Sequence, residues 1–248
     1  MSERGIYTAM NSERATMLNM RIATNNLANA NTPGFRADYP IISEHAVAKG
    51  DNNARSIPYV AKTYADFEQG AIAYTGNPLD VAIKGKGFFS VQNQDGQEGY
   101  TRAGNFRTNQ DGLLTTSKGA LVLGIDGPIT IPHSRQVSIN KEGMVLALPL
   151  SGGEKDMQEV GRLKLVDPKE SLLEKGEDGL FYMPNNGRAE SSESVDVVAE
   201  YLEGSNVNTV RTLVELIDVS RRFEFSGKMS KSFDENSYSC NKLLENLV

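Results

Sequence analysis

Few residues of this chain could take part in catalysis or ligand binding. The first candidates are its two histidines and one run of glycine and lysine residues. His45 and His133 each lack a second histidine at the spacing of a metal site, and neither lies near a nucleophile motif. The run Gly85-Lys86-Gly87 resembles part of a phosphate-binding loop, which requires a Ser or Thr after the lysine and then a helix. Here Phe88 follows within a predicted strand, so the sequence does not predict a nucleotide site.

The acidic residues and the cysteine carry no catalytic or metal-binding motif either. Asp95, Asp111 and Asp126 each precede a glycine, but none has the alternating oxygen ligands and the closing glutamate of a calcium loop. They are typical of tight turns instead. The 32 acidic residues include no pair marked by a motif for general acid-base catalysis, and a single cysteine, Cys240, excludes a disulfide framework. We therefore expect no cofactor, no metal and no enzymatic activity.

The composition is that of a folded, acidic protein with one large or two modest domains. Hydrophobic residues make up 39% of the chain and charged residues 23%, and the formal net charge is −6. Basic residues are scattered among acidic ones, which argues against nucleic acid as a partner. The sequence has no apolar run of about eighteen residues, so no helical membrane span is expected. The polar start, Met1 to Gly5, is not typical of a cleavable secretory signal.

The elements that could present a binding surface are two amphipathic helices at the two ends of the sequence. From about Asn208 to Val248, apolar or small residues recur in alternating steps of three and four, which is the period of a coiled-coil seam. A second apolar stripe near its start consists of Leu213, Val214 and Ile217. The seam consists of Leu216, Val219, Phe223, Ser226, Ser230, Phe233, Ser237, Cys240, Leu244 and Leu247.

The N-terminal helix, predicted from about Ser2 to Ala28, also carries two stripes. The first follows the three-four spacing and the second consists of Ala15, Leu18 and Ile22. Two helices with more than one apolar stripe each can bury one stripe against each other and still need neighbours for the rest. The pattern leaves open an intramolecular hairpin and packing between copies. The first stripe consists of Ile6, Met10, Glu13, Met17, Met20, Thr24 and Leu27.

An asparagine-rich segment follows the first helix. Four asparagines, Asn25, Asn26, Asn29 and Asn31, fall within seven residues, and Pro33-Gly34 then forces a turn before Phe35. Asparagine suits a helix end, but a helix stop does not require four of them. We therefore expect hydrogen bonds from these amides across subunits.

The middle of the chain predicts β structure. Turn signals recur roughly every ten residues between strands predicted at 79–83, 87–92, 100–102, 113–116, 120–123 and 136–139. The predicted fold class is α+β, with a discontinuous coiled-coil-like α domain from both termini and an inserted connector and all-β domain. The predicted boundaries are a helix at 1–30, a connector at 31–75, the β domain at 76–186, a return linker at 187–207 and a helix at 208–248.

Several blocks, in order along essentially the whole chain, resemble the bacterial flagellar rod and hook axial proteins. They are Asn25 to Asn29 with Thr32 to Phe35, Thr75 to Ile83, Gly87 to Phe89, Tyr100 to Phe106, and Glu203 to Asn208. Within that family, the segments Tyr201 to Asn208, Arg221 to Glu224 and Asp234 to Asn236 look most like the proximal rod of the basal body. Distal-rod and hook proteins share most of these blocks.

The resemblance implies a structural subunit that polymerises through its terminal helices into a hollow axial shaft that transmits motor torque. It implies export without cleavage through the flagellar type III apparatus and assembly in the periplasm. The implied partners are other copies, other rod proteins, and the export gate and MS-ring base.

A peptidoglycan-acting enzyme and a soluble adaptor are the competing hypotheses for the function. The predicted subunit interface consists of Ile6, Met10, Met17, Met20, Leu27, Asn25, Asn26, Asn29, Asn31, Pro33, Gly34, Phe35, Leu213, Leu216, Val219, Phe223, Phe233, Cys240, Leu244 and Leu247.

Overall fold

The structure is a computed structural model that describes residues 2–47, 55–132, 134–149 and 157–245. It contains two long helices and many short strands, which confirms the predicted α+β class. By internal contacts the chain divides into two compact units. The first unit combines Met1–Ala30, Ala37–Asp66 and Val207–Val248, and the second combines Asn31–Arg36 with Phe67–Asn206.

Two helices from opposite ends of the sequence pack against each other in the first unit. They are α1, Ser2–Ala28, and α2, Thr209–Glu245, close to the predicted bounds. Asn208 caps α2, because its Oδ1 accepts a hydrogen bond from the backbone N–H of Arg211 at 3.0 Å. The amphipathic period therefore predicted both helices correctly.

A two-stranded antiparallel sheet completes the first unit. Strand β1, Asp38–Val47, pairs with β2, Arg55–Ala65, and both strands contact α1. The sequence predicted a semi-ordered connector with short extended pieces here, in which Pro40 and Pro58 argue against a helix. In a two-stranded sheet every strand has an outer edge, so a proline that cannot donate to the ladder is tolerated.

The second unit is built from short strands, and each pairing between named strands is antiparallel. Two 3-10 turns, Glu170–Leu172 and Pro184–Asn186, lie between the later strands. The strands are β3 Ile72–Tyr74, β4 Val81–Lys84, β5 Phe88–Gln92, β6 Glu98–Thr101, β7 Phe106–Thr108, β8 Leu114–Thr116, β9 Leu121–Gly124, β10 Gly127–Pro128, β11 Ser134–Ile139, β12 Met144–Pro149, β13 Gln158–Arg162, β14 Leu165–Val166, β15 Glu174–Lys175, β16 Phe181–Tyr182, β17 Asp196–Ala199 and β18 Tyr201–Glu203.

The largest sheet among the described residues has the order β15-β16-β6-β5-β9-β8-β7, with β10 added on β9 and β14 on β5. Smaller sheets pair β11-β12-β13, β17-β4 and β18-β3. The core between them is apolar and tightly closed, with Phe89 and Phe106 in edge-to-face contact at a centroid distance of 5.1 Å. This core accounts for the stability of the second unit as a separate folded body.

The segment predicted as a return linker, 187–207, contributes two strands to the second unit. Val195 and Val197 are buried in the core at 5% and 1% exposure, with polar residues between and beside them. That alternation has the period of a half-buried strand, but the Ser/Glu-rich composition concealed it. β17 pairs with β4 and β18 pairs with β3. This segment is therefore part of the sheets of the second unit and is not only a linker.

Tyr182 should make the stability of the second unit depend on alkaline pH. Its hydroxyl donates to the Asp178 carboxylate and accepts from Asn93 Nδ2 at 3.1 Å. Burial, followed by the hydrogen bond to Asp178, raises the pKa of Tyr182 from 10.0 to about 12. Between these pH values the unfolded chain loses the phenolic proton first, so stability is complete below pH 10 and falls as pH rises toward 12.

As pH rises from 9 to 11.5, the free energy of unfolding of the wild-type chain should fall. We expect this fall to be smaller by roughly 1 kcal/mol in Tyr182→Phe, after allowance for solvent screening. Urea unfolding at pH 9 and pH 11.5 measures the effect as the difference between the two free energies of unfolding. An equal difference in the wild-type and Tyr182→Phe chains would contradict the assignment.

Candidate subunit interface

An exposed apolar surface of the first unit lies at the start of α2. Val210, Leu213, Val214 and Ile217 are 74%, 48%, 53% and 46% exposed. Their spacing of three, one and three residues places them on one face of the helix. We call these four residues the α2 stripe. Three of them are the second stripe of the sequence prediction, and they have little cover within the described chain.

The opposite face of α2 points into the first unit. Thr212 and Val219 are buried at 8% and 9% exposure, and Leu216 and Phe223 are half-buried. The predicted seam residues Leu216, Val219 and Phe223 therefore pack within the subunit, and α1 is the helix against which α2 lies. Within the subunit these residues lie on the less exposed face of α2, and their packing between subunits stays a prediction.

On α1 the first predicted stripe is the more exposed one, whereas on α2 the second stripe is more exposed. Met10 and Met17 of the predicted first stripe are 50% and 55% exposed, and Met20 and Leu27 are half-buried. In the second stripe Ile22 is buried, and Ala15 and Leu18 are half-buried. Each helix thus buries one stripe inside the unit and leaves another open.

Five predicted interface residues cannot be placed on either face. The side chains of Ile6, Phe233, Cys240 and Leu244 and the whole of Leu247 lie outside the described residues. The side chain of His45 and the whole of His133 also lie outside them.

The asparagine cluster is used largely within the first unit. Asn26 is 5% exposed, its Nδ2 donates to Asp38 O at 2.8 Å, and its Oδ1 accepts from Asp38 N at 2.9 Å. This pair of bonds fixes the end of α1 to the start of β1. Asn29 Nδ2 donates to the backbone and side-chain oxygens of Asn25, both at 2.9 Å, and so caps its own helix. The predicted bonds across subunits do not describe Asn26, whereas Asn25 and Asn31 are exposed.

The Pro33-Gly34-Phe35 segment is likewise used inside a unit, here the second. Gly34 has φ +67, and a Cβ there would lie 2.3 Å from Ala103 N and from the carbonyl carbon of Arg102. Its N–H donates to Glu203 O at 2.8 Å. Pro33 is half-buried, and Lys175 Nζ lies 4.1 Å from the centre of the Phe35 ring. The sequence placed these residues at a subunit interface, but they seat this segment on the β unit.

A buried ion cluster lies beside Gly34 and was not predicted from the sequence. Arg36 Nη1 and Arg102 Nε lie 2.8 and 2.7 Å from the two carboxylate oxygens of Glu203, and the three side chains are 0–2% exposed. Gly70 N also donates to Glu203, at 3.0 Å. Such a pair is stable only when its remaining donors are satisfied. Arg102 meets this condition by donating to Gly87 O at 2.7 Å and Gly85 O at 2.8 Å.

Hydrogen bonds near the ion cluster connect the segments of the second unit that adjoin the passages between the units. These passages follow Ala30, Arg36, Asp66 and Asn206. On the side of the second unit, Asn206 N donates to Phe35 O at 3.3 Å, and Asn206 Nδ2 donates to Glu68 O at 3.1 Å. Together with the bonds from Gly34 and Gly70 to Glu203, these contacts bind the adjoining segments to one another.

Sequence reasoning missed the ion cluster because its members are far apart along the chain. Arg36, Arg102 and Glu203 have no spacing rule that could connect them. The available signal was that each lies in or beside a block that resembles the axial family: Arg36 follows Thr32 to Phe35, Arg102 lies in Tyr100 to Phe106, and Glu203 begins the last block.

Among the described residues, no group of three or more His, Cys, Asp or Glu side chains is placed to hold a metal ion. Of the helices in the described ranges, none is long and apolar enough to cross a membrane.

Comparison with known protein families gives three matches along the chain. Residues 6–36 match the model described as flagella basal body rod protein. Residues 82–147 match the flagellar hook protein FlgE/F/G D1 domain, and residues 198–243 match the flagellar basal body rod FlgEFG protein C-terminal model. The three matches include α1, much of the β unit and most of α2.

Individual relatives are similar over nearly the full length. The chain is 36% identical to the flagellar basal-body rod protein FlgF of Salmonella typhimurium and 36% identical to that of Escherichia coli, with 98% of each chain covered. It is 30% identical to the flagellar basal-body rod protein FlgG of Caulobacter vibrioides, over 94% of this chain and 96% of the relative. The chain therefore belongs to the family of flagellar basal-body rod proteins, which are structural components of the basal body and not enzymes.

Proposed function

We propose that this chain polymerises through α1 and α2 into the proximal part of the flagellar rod, a hollow shaft that transmits motor torque. The observation that carries the proposal is the α2 stripe, which an isolated subunit leaves in water. Burying each such side chain against a neighbour contributes about 1.5–3 kcal/mol. Met10 and Met17 on α1 add a second open surface with flexible side chains that adapt to a neighbouring helix.

In this proposal the two faces of α2 make different contacts. Leu216, Val219 and Phe223 hold α2 within its own subunit, and the α2 stripe takes a helix of the next subunit. The proposed coiled-coil-like packing of the termini thus comprises one contact within the subunit and one contact between subunits. In this proposal the helices of the first unit, α1 and α2, make the contacts between subunits.

The proximal position within the rod is supported by the relatives. For the two relatives from Caulobacter vibrioides, the chain is 34% identical to FlgF and 30% identical to FlgG. This difference agrees with the resemblance of Tyr201 to Asn208 and of Arg221 to Glu224 to proximal-rod proteins. The proposed neighbours are other copies, other rod proteins and the export gate with the MS-ring base. We further propose uncleaved export through the flagellar type III apparatus and assembly in the periplasm.

Charged substitutions in the α2 stripe test the proposal. We expect Leu213→Glu combined with Ile217→Glu to abolish swimming when the variant replaces the natural chain, because two carboxylates cannot be buried in an apolar helix contact. The measurements are swimming in soft agar and electron microscopy of purified basal bodies. Rods should be absent or truncated, with the number of complete rods reduced at least about 100-fold, since two lost apolar anchors cost more than about 3 kcal/mol.

A matched control separates this contact from a general effect of added charge. Ile125 is 52% exposed on the turn before β10, so Ile125→Glu makes the same chemical change outside the helices. It should leave the rods complete. Circular dichroism of the purified double variant should show unchanged helix content. Complete rods in the Leu213→Glu, Ile217→Glu strain would refute the proposed role of the stripe, and recovery of the protein only as a soluble one-to-one complex would favour an adaptor.

A further inference from the structure

The two-stranded sheet of β3 and β18 in the second unit has an open outer edge, which is the side of β3 that faces away from β18. Among the described residues, β3 pairs with β18 alone. All three residues of β3 are exposed, with Ile72 at 39% and Tyr74 at 64%. An exposed strand edge presents backbone donors and acceptors with which another extended chain can pair.

The register of this sheet shows which backbone groups of β3 point outward. In an antiparallel sheet, hydrogen-bonded and non-hydrogen-bonded residue pairs alternate. Gly204 N donates to Ala71 O at 2.8 Å, so this pair is hydrogen-bonded. The next pair, Glu203 with Ile72, is therefore not, and Tyr74 occupies the equivalent position two residues further on. The N–H and C=O groups of Ile72 and Tyr74 thus point away from β18, and no described residue forms a backbone hydrogen bond with them.

A hydrogen bond on the far side of β18 agrees with this register. Glu203 O accepts from Gly34 N at 2.8 Å, so the Glu203 carbonyl points away from β3. At a non-hydrogen-bonded pair the backbone groups of the opposite residue, Ile72, point away from β18 in the same manner.

The edge of β3 lacks the side chains that protect most exposed edges from pairing. Such edges usually carry a charged residue or a proline, and residues 69–77 contain neither. Ile72 and Tyr74 are two residues apart, so their side chains lie on one face of the strand. The Tyr201 ring extends this face, with its centre 5.2 Å from that of Tyr74. The edge therefore combines four backbone groups with an apolar and aromatic face.

The charge around the edge indicates the chemistry of its partner. Residues 67–83 and 189–206, which contain β3 and β18, include seven acidic residues and no lysine or arginine. Glu203 is already paired in the buried ion cluster. Glu200 Oε2 accepts a hydrogen bond from the Tyr74 hydroxyl at 3.2 Å, and no described residue forms a salt bridge with this carboxylate. A lysine or arginine beside Tyr74 would complement it.

We propose that the outer edge of β3 binds an extended, basic segment of a partner protein as an added strand. Ile72 and Tyr74 form up to four backbone hydrogen bonds with the segment, and alternate apolar side chains of the segment cover their side chains. A lysine or arginine of the segment pairs with Glu200. In this mode of binding, the backbone bonds supply the affinity and the side chains supply the selectivity. The site lies in the β unit and does not rest on the proposed packing of α1 and α2.

Amide hydrogen exchange of the full-length chain with a probe peptide tests the site. The probe is acetyl-Lys-Val-Thr-Val-Thr-Lys-amide, and nuclear magnetic resonance follows the individual amides. In the free chain the N–H groups of Ile72 and Tyr74 should exchange rapidly, because no described residue accepts from them. Saturating probe should slow both at least about tenfold, with a dissociation constant on the order of 1 mM for so small a contact. Unchanged exchange at both positions would overturn the proposal.

Methylation of the probe separates strand addition from unspecific binding. One derivative carries N-methyl groups on its first, third and fifth residues, and the other carries them on its second, fourth and sixth residues. Only one of these two sets of N–H groups can face β3. One derivative should therefore bind at least about tenfold more weakly than the other, since it lacks the donors for the edge. Equal affinities of the two derivatives would overturn the proposal, and this comparison leaves the protein unchanged.

Substitutions at the edge test its two chemical features. Ile72→Lys should abolish binding of the probe, because it places a like charge on the edge, whereas Ile125→Lys makes the same change at a 52% exposed site elsewhere in the unit and should not. Glu200→Gln should weaken binding about threefold and exposed Glu193→Gln should not. Equal affinities within the lysine pair would overturn the site. Equal affinities within the glutamine pair would overturn the preference for a basic segment.

Sedimentation of the chain alone distinguishes a partner protein from a second copy. If the partner is another protein, wild type and Ile72→Lys should show the same distribution of monomers and oligomers. Oligomers of the wild-type chain that Ile72→Lys dissociates would overturn the partner protein and assign the edge to a second copy. Loss of rods in the Leu213→Glu, Ile217→Glu strain has no bearing on these measurements, so failure of the rod proposal and failure of the strand proposal are distinguishable.

Discussion

Glu203→Gln is expected to lower the free energy of unfolding of the second unit by about 3–5 kcal/mol, the usual cost of breaking a buried ion pair from one side. The substitution keeps the shape of the side chain but removes the buried carboxylate charge that faces Arg36 and Arg102. It also turns one acceptor oxygen into an NH₂ group that faces a guanidinium donor. Urea unfolding of the purified chain, followed by far-ultraviolet circular dichroism, measures the change.

Glu170→Gln is the matched control for this experiment. It makes the same change in an exposed pair, where Lys86 Nζ lies 4.0 Å from the carboxylate, and should cost less than about 1 kcal/mol. If Glu203→Gln costs no more than Glu170→Gln, the ion cluster does not stabilise the unit.

Gly34→Ala is expected to cost about 3 kcal/mol or more and to release Asn31–Arg36 from the β unit. Two effects add. The backbone of Gly34 has φ +67, where any Cβ is strained by about 1–2 kcal/mol. The new Cβ would also lie 2.3 Å from backbone atoms of Arg102 and Ala103, which cannot rotate away as a side chain can. Unfolding in urea gives the cost, and faster proteolysis near residue 34 would report the release.

Gly119→Ala separates the two effects of Gly34→Ala. Gly119 has φ +87, but a Cβ there meets nothing within 4 Å. Its substitution should therefore show the conformational strain alone, about 1 kcal/mol. Equal costs at the two positions would mean that the close approach of Gly34 to Arg102 and Ala103 contributes nothing.

The sequence predicted the two helices well because their stripes repeat over 27 and 37 residues in α1 and α2. It could not decide which stripe faces inward. Leu213 and Leu216 are both apolar and both periodic, and only the position of α1 assigns one to solvent and the other to the interior. The predicted strands at 79–83, 87–92 and 113–116 were also correct to within about two residues, since β-branched and aromatic runs between glycine turns depend on local pattern.

The parts that the sequence did not reveal are non-local or disguised. The bonds from Arg36 and Arg102 to Glu203 join three distant segments, so no period or spacing marks them. The pattern between Arg36 and Thr75 is mixed and weak, so it predicted short extended pieces instead of the full strands β1 and β2. Asn26 looked like a surface amide in excess of capping needs, although its partner, Asp38, was only twelve residues away.

The bonds around Glu203 also bear on how a rotating shaft resists shear. A force that reaches the second unit through the polypeptide must enter along the segments that adjoin Ala30, Arg36, Asp66 and Asn206. Hydrogen bonds at Gly34, Glu68, Gly70 and Asn206 connect those segments to one another. We therefore expect several of these bonds to share a force that enters along any one segment.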